Sequence, residues 1–84
     1  MYKININLLY FAFIKEITGV KCDIIELPSD TTVKKLLDVL LEKYPSLGNI
    51  INKIKISVNY KVVNIDTILN NGDEVALLPP VCGG

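Results

Sequence analysis

The chain has 84 residues, an apolar fraction of 50% and a charged fraction of 21%, which indicates one ordered domain and excludes a disordered chain. Nine basic and nine acidic residues cancel, so we expect neither a nucleic-acid surface nor an acidic-membrane surface. The absence of histidine excludes a Ser/His/Asp triad and a Cys/His pair. Cys22 and Cys82 follow no metal or redox spacing, so a reducing, cytoplasmic setting is expected.

The first third of the chain predicts two strands separated by a short helix. Residues 3–10 alternate apolar and polar side chains, which is the pattern of a half-buried strand. Residues 12–18 form a short helical pattern, and Gly19 is suited to end it in a left-handed conformation. Residues 21–27 predict a second strand whose two faces are ambiguous. The inward positions predicted for the first strand are Ile4, Ile6, Leu8 and Tyr10.

The main helix is predicted immediately after a turn at residues 28–32. Thr32 is the expected N-cap, because its hydroxyl can accept from an amide of the first turn that lacks a helical partner. Pro45 is expected to end the helix. Between these two residues runs an apolar stripe at helical spacing, made of Val33, Leu36, Leu37, Leu40, Leu41 and Tyr44.

The last third predicts two or three more strands. Residues 54–58 alternate, and the sequence Asn59-Tyr60-Lys61 can turn the chain into Val62 and Val63. Residues 70–73 are a strong turn signal before a final strand over residues 74–78. In that strand Val75 and Leu77 are expected to face the core, which leaves Leu78 facing outward. The order of elements predicts an α+β fold, a β-grasp with a mixed sheet on one main helix.

An acidic pair, Asp73 and Glu74, is the one candidate for acid/base chemistry within the domain. Adjacent residues of a strand or turn point apart, so we interpret the pair as a solvated turn instead.

The most informative segment is the end of the sequence, an expected tail over residues 79–84 that follows a domain over residues 1–78. Two prolines favour an extended path of about 3.1 Å per residue, so the tail reaches roughly 18 Å from the last strand. Two glycines carry no side chains, so a narrow tunnel in another protein can admit them. The tail consists of Pro79, Pro80, Val81, Cys82, Gly83 and Gly84.

A terminal carboxylate such as that of Gly84 reacts only after activation, because it has no leaving group. Activation by ATP gives an acyl-adenylate, from which sulfur can displace AMP to form a thiocarboxylate. The same adenylate can instead pass to an amine or a thiol, as in protein conjugation. From the residues alone, sulfur carriage, conjugation and an inert tail on an interaction module remain open.

The sequence resembles the molybdopterin synthase small subunit (MoaD) family of ubiquitin-like, ThiS-like sulfur carriers. The resemblance rests chiefly on residues 72–84, GDEVALLPPVCGG, and is supported by residues 10–19, by Thr32-Val33 and by Val58-Asn59. It implies that an E1-like adenylyltransferase activates Gly84 and that a sulfurtransferase then supplies the sulfur. It also implies that the tail inserts into the large subunit of a heterotetramer and donates sulfur to cyclic pyranopterin monophosphate.

The resemblance carries further expectations about partners and cofactors. The chain is not an enzyme by itself, binds no cofactor or metal, and carries sulfur covalently, while ATP is used by the activating enzyme. The family's apolar docking patch falls on Phe11, Val62 and Leu78. Cys82 stands where the family often has Thr or Ser, and we interpret it as a tolerated small residue rather than a sulfur relay.

The alternatives to this role are a sulfur carrier for thiamine or tRNA thiolation, a ubiquitin-like modifier, and a non-catalytic interaction module. The Pro-Pro-Val sequence before the glycines favours the molybdopterin role, because the thiamine and tRNA carriers lack it in this form.

Overall fold

A computed structural model describes residues 2–79, so Met1 and residues 80–84 lie outside the described part of the chain. Within that part the α+β class is confirmed. The elements in chain order are β1 (Lys3–Tyr10), α1 (Ala12–Thr18), β2 (Cys22–Pro28), α2 (Val33–Lys43), a 3₁₀ helix (Pro45–Asn49), β3 (Lys55–Val58), β4 (Lys61–Val63) and β5 (Glu74–Leu78).

The five strands described form one mixed sheet in the order β2-β1-β5-β3-β4. β1 and β5 pair in parallel, whereas the β1–β2, β3–β5 and β3–β4 pairs are antiparallel. The first and last strands of the domain are therefore neighbours at the centre of the sheet. This is the predicted ubiquitin-like β-grasp, with α2 as the main helix packed on the sheet.

The core lies between one face of the sheet and the apolar stripe of α2. The alternation of β1 is confirmed, since each of its four predicted inward residues is buried. Val33, Leu36 and Leu40 form the fully buried centre of the stripe, and its other three members are partly buried beside them. Val75 and Leu77 are also fully buried, as predicted. The sequence thus identified both layers of the core.

The ends of the helices agree with the predicted capping residues. Thr32 adopts an extended conformation, and its hydroxyl accepts from the Lys35 amide at 3.3 Å. Gly19 ends α1 with a φ of 82°, a left-handed conformation that costs glycine little. Strand β2 extends one residue beyond the predicted range, because Pro28 pairs in register with Lys3. A proline is tolerated there, since β2 is an edge strand.

Tyr10 combines a buried ring with a hydroxyl that has no hydrogen-bond partner among residues 2–79. The ring is only 2% exposed and meets the Tyr44 ring edge-on, with the ring centroids 6.1 Å apart. Burial raises the pKa of this phenol above its usual range. The hydroxyl therefore stays protonated, and its burial without a partner destabilises the fold.

We expect Tyr10→Phe to raise the free energy of unfolding by about 1 kcal/mol, because it removes a buried polar group that lacks a partner. Urea denaturation of both proteins measures the change. Tyr44→Phe is the control, since Tyr44 is less buried, and it should give no comparable gain. A loss of stability in Tyr10→Phe would mean that the Tyr10 hydroxyl does have a hydrogen-bond partner.

Candidate docking cleft at the tail exit

The tail leaves the domain from the end of its central strand. Leu78 is the last residue of β5, and its Cα partner on β3 is Lys55. On the other side Tyr10 pairs with Leu77 in parallel register, so Phe11, the next residue, follows β1 on the side of Leu78. The tail predictions for Pro80, Val81, Cys82, Gly83 and Gly84 lie outside the described residues, and Pro79 is the last residue with a described position.

The sheet face opposite the core carries a shallow apolar cleft beside this exit. Its floor is a row of paired positions that crosses four strands: Leu9 pairs with Ala76, Ala76 with Ser57, and Ser57 with Val62. Small side chains at Ala76 and Ser57 leave room between the larger residues. The cleft has a volume of about 260 Å³, and we call it the outer-face cleft; it is lined by Leu9, Phe11, Ser57, Tyr60, Val62, Glu74, Ala76 and Leu78.

The three residues of the predicted docking patch all line the outer-face cleft. Phe11 is 44% exposed and Val62 is 63% exposed, so both present apolar surface to the solvent. Leu78 is half-buried rather than fully exposed, because β1 and β3 flank it on both sides. The structure therefore brings together three residues that are far apart in sequence, and their docking role stays a prediction.

A sharp turn between β1 and α1 positions Phe11. Its carbonyl accepts from the Ile14 amide at 3.0 Å, so its backbone is the N-cap of α1. The next residue, Ala12, has a φ of 51°, in the left-handed region that residues other than glycine rarely adopt. Sequence reasoning missed this turn, since alanine gives no signal for a positive φ.

A two-residue turn between β3 and β4 forms the opposite rim of the cleft. Both turn residues have positive φ, 51° at Asn59 and 73° at Tyr60, as expected for the hairpin turns that match strand twist. Tyr60 is 88% exposed. The sequence predicted the turn but not the strained position of the tyrosine, because glycine is the usual residue there.

The interpretation of Asp73 as part of a solvated turn is wrong. Its side chain is buried and accepts two hydrogen bonds, from the Asn59 side-chain amide at 2.9 Å and from the Asn70 backbone amide at 2.8 Å. Asp73 thus joins the β3–β4 turn to the turn that precedes β5. Glu74 is half-buried and lines the outer-face cleft, so the two carboxylates have different surroundings.

The described residues also define what the chain offers to metals, thiol chemistry and membranes. Among residues 2–79, no cluster of three Cys, Asp or Glu side chains could hold a metal ion. Cys22, the cysteine within this range, is a free and exposed thiol. None of the helices described is both long enough and apolar enough to cross a membrane.

Comparison with known proteins identifies the family. The sequence model of the ThiS family matches residues 8–84 of the chain. The chain belongs to the ThiS family. Relatives of the chain from two organisms are named molybdopterin synthase sulfur carrier subunit. The relative from Mycobacterium tuberculosis is 36% identical, covering 96% of this chain and 99% of its own. The relative from Arabidopsis thaliana is 35% identical, covering 96% of this chain and 84% of its own.

Solved structures share the fold of this chain. A putative molybdopterin converting factor subunit 1 from Pyrococcus furiosus has a TM-score of 0.85 at 27% identity, covering 93% of this chain and 99% of its own. A complex of subunits 1 and 2 of the molybdopterin-converting factor from Helicobacter pylori 26695 contains a similar chain, with a TM-score of 0.68 at 29% identity. The match covers 96% of this chain and 100% of that one. The small archaeal modifier protein 1 of H. volcanii has a TM-score of 0.84 at 26% identity, covering 93% of this chain and 99% of its own.

We expect Asp73→Ala to lower the free energy of unfolding by about 2 kcal/mol, because it leaves the Asn59 and Asn70 donors without their acceptor. Asp66→Ala is the matched control, since Asp66 is an exposed acid in a neighbouring loop, and it should change stability far less. Thermal and urea unfolding report both values. Equal stabilities for the two variants would mean that Asp73 does not hold the turns together.

Proposed function

We propose that this member of the ThiS family is the sulfur carrier subunit of a molybdopterin synthase, a non-catalytic partner of a larger subunit. The observation that carries the proposal is the position of the outer-face cleft beside the end of β5, the strand from which the tail continues. Curated relatives with this name over nearly the whole chain support it. A solved complex of the two subunits of a molybdopterin-converting factor, one of them similar to this chain, supports a large-subunit partner.

In the proposed cycle Gly84 carries the cargo. An E1-like adenylyltransferase joins the Gly84 carboxylate to AMP from ATP and releases pyrophosphate. The terminal sulfur of a sulfurtransferase persulfide attacks the acyl carbon, and AMP leaves. A thiol then cleaves the resulting acyl disulfide, which frees the thiocarboxylate and forms a disulfide between the two thiol sulfurs. In the large subunit, two thiocarboxylated chains in succession each donate one sulfur to cyclic pyranopterin monophosphate, and the two sulfurs build the dithiolene of molybdopterin. In each transfer water cleaves the acyl–sulfur bond, which returns Gly84 as a carboxylate.

The domain supplies position rather than chemistry in this cycle. Docking through Phe11, Val62 and Leu78 fixes the point from which the tail extends, and this limits the volume that Gly84 samples. Gly83 and Gly84 add no side chains that would block a tunnel. Since the activating enzyme and the large subunit both receive the same tail, the two partners bind in turn.

A ubiquitin-like modifier is the second candidate, and the similarity to the small archaeal modifier protein 1 of H. volcanii favours it specifically. In that case the Gly84 adenylate passes to a lysine amine of another protein. A sulfur carrier for thiamine or tRNA thiolation differs from the main proposal only in the acceptor. The product formed at Gly84 and the protein bound at the cleft separate these roles.

We expect the intact mass of the chain to rise by the difference between one sulfur and one oxygen atom after incubation with ATP, the adenylyltransferase and a persulfide-bearing sulfurtransferase. A chain that lacks Gly84 should show no rise. Cys82→Ser should gain the same mass as the unmodified chain, which would place the sulfur on the terminal carbonyl and not on a thiol. An unchanged mass under conditions that load a known carrier would refute sulfur carriage.

We expect Leu78→Glu to weaken binding of the molybdopterin synthase large subunit by more than about tenfold, because a charge replaces a leucine that lines the cleft. Ile24→Glu is the control, since Ile24 is an exposed apolar residue outside the outer-face cleft. Deletion of Gly84 should leave the affinity within about threefold while it removes transfer. Isothermal titration calorimetry measures each affinity, and equal effects at Leu78 and Ile24 would count against docking at the cleft.

A further inference from the structure

Tyr60, at the rim of the outer-face cleft, combines an unfavourable backbone conformation with an exposed aromatic ring. Tyr60 has a φ of 73°, which is unfavourable for a bulky residue, and its side chain is 88% exposed. Neither strain nor exposure of an aromatic ring stabilises the fold. Strained positions of this kind persist where surrounding contacts fix them, and they cluster at functional sites.

Three hydrogen bonds hold the turn of Tyr60 against the start of β5. The Asn59 backbone amide donates to the Glu74 carbonyl at 2.8 Å, and the Glu74 amide donates to the Asn59 side-chain oxygen at 3.0 Å. The Asn59 side-chain amide also donates to Asp73 at 2.9 Å. These bonds place Tyr60 beside Glu74, whose carboxylate raises the pKa of the Tyr60 hydroxyl.

The charge of the cleft is negative. Among the residues that line it, Glu74 is the one with a formal charge, and the others are apolar or neutral. Glu74 makes no salt bridge with a lysine of residues 2–79. The cleft therefore presents an apolar floor, an exposed aromatic ring and one carboxylate on the same side.

We infer that Tyr60 and Glu74 form a guanidinium-binding rim, and that the large subunit places an arginine there next to an apolar side chain that fills the cleft. This inference rests on the proposed function, because it assigns the partner of the same site. A planar guanidinium can stack on the Tyr60 ring while it donates two parallel hydrogen bonds to the Glu74 carboxylate. A lysine ammonium lacks both the planar face and the paired donors.

The composition of the chain decides between a foreign partner and a second copy. The sequence contains no arginine, and all of its nine basic residues are lysines. A second copy therefore cannot supply the guanidinium. The guanidinium-binding rim therefore favours binding of a different, arginine-bearing protein over self-association of this chain through the same apolar cleft.

The test measures binding of the large subunit at about 0.05 M and about 0.5 M salt, since screening separates a charge contact from a packing contact. Glu74→Gln keeps the shape of the side chain and should weaken binding about tenfold at low salt, whereas the two proteins should converge at high salt. Tyr60→Gly should weaken binding about tenfold at both salt concentrations, yet raise thermal stability, because glycine accepts a positive φ. This gain in stability shows that the variant is folded.

Matched controls come from exposed residues outside the cleft. Tyr2→Gly removes a ring that is 84% exposed, and Glu26→Gln removes an exposed carboxylate of β2. Both should bind as the unmodified chain does. If Glu74→Gln and Tyr60→Gly also bind normally while Leu78→Glu does not, arginine binding at the rim is refuted and the proposed function stands. If the unmodified chain does not bind the large subunit, both proposals fall.

Discussion

The parallel pairing of β1 with β5 is the contact on which the rest of the molecule depends. It joins the first and last strands of the domain, which are separated by more than sixty residues of sequence, in the register Leu8 to Val75 and Tyr10 to Leu77. That register seals the core, since both pairs contribute buried side chains. It also brings the chain leaving β1 at Phe11 next to the chain leaving β5 at Leu78, so the tail exit and one wall of the cleft arise from the same pairing.

Side chains alternate between the two faces of β5, so one set of its five residues lies in the core and the other lines the outer-face cleft. Val75 and Leu77 face α2 and are fully buried, whereas Glu74, Ala76 and Leu78 face the opposite side and line the outer-face cleft. A shift of register by one residue would exchange the two sets. The core therefore fixes which residues line the outer-face cleft, because a one-residue shift would expose Val75 and Leu77.

Local patterns predicted the elements well, because their causes are local. The alternation of β1, the Thr32 cap and the left-handed Gly19 each depend on residues close in sequence, and each is confirmed. The convergence of Phe11, Val62 and Leu78 depends on strand pairing over long distances, so only the family resemblance indicated it. The burial of Asp73 was missed for the same reason, since its partner Asn59 lies 14 residues away.

The central position of β5 has a mechanical consequence for any force applied to the chain that follows it. Hydrogen-bonded neighbours flank β5 on both sides, and they lie across the direction of the strand. A pull on the tail therefore loads these bonds together in shear, whereas a pull on an edge strand would open them one after another. In the proposed function, insertion of the tail into a partner and its withdrawal would act on the part of the sheet that is hardest to unzip.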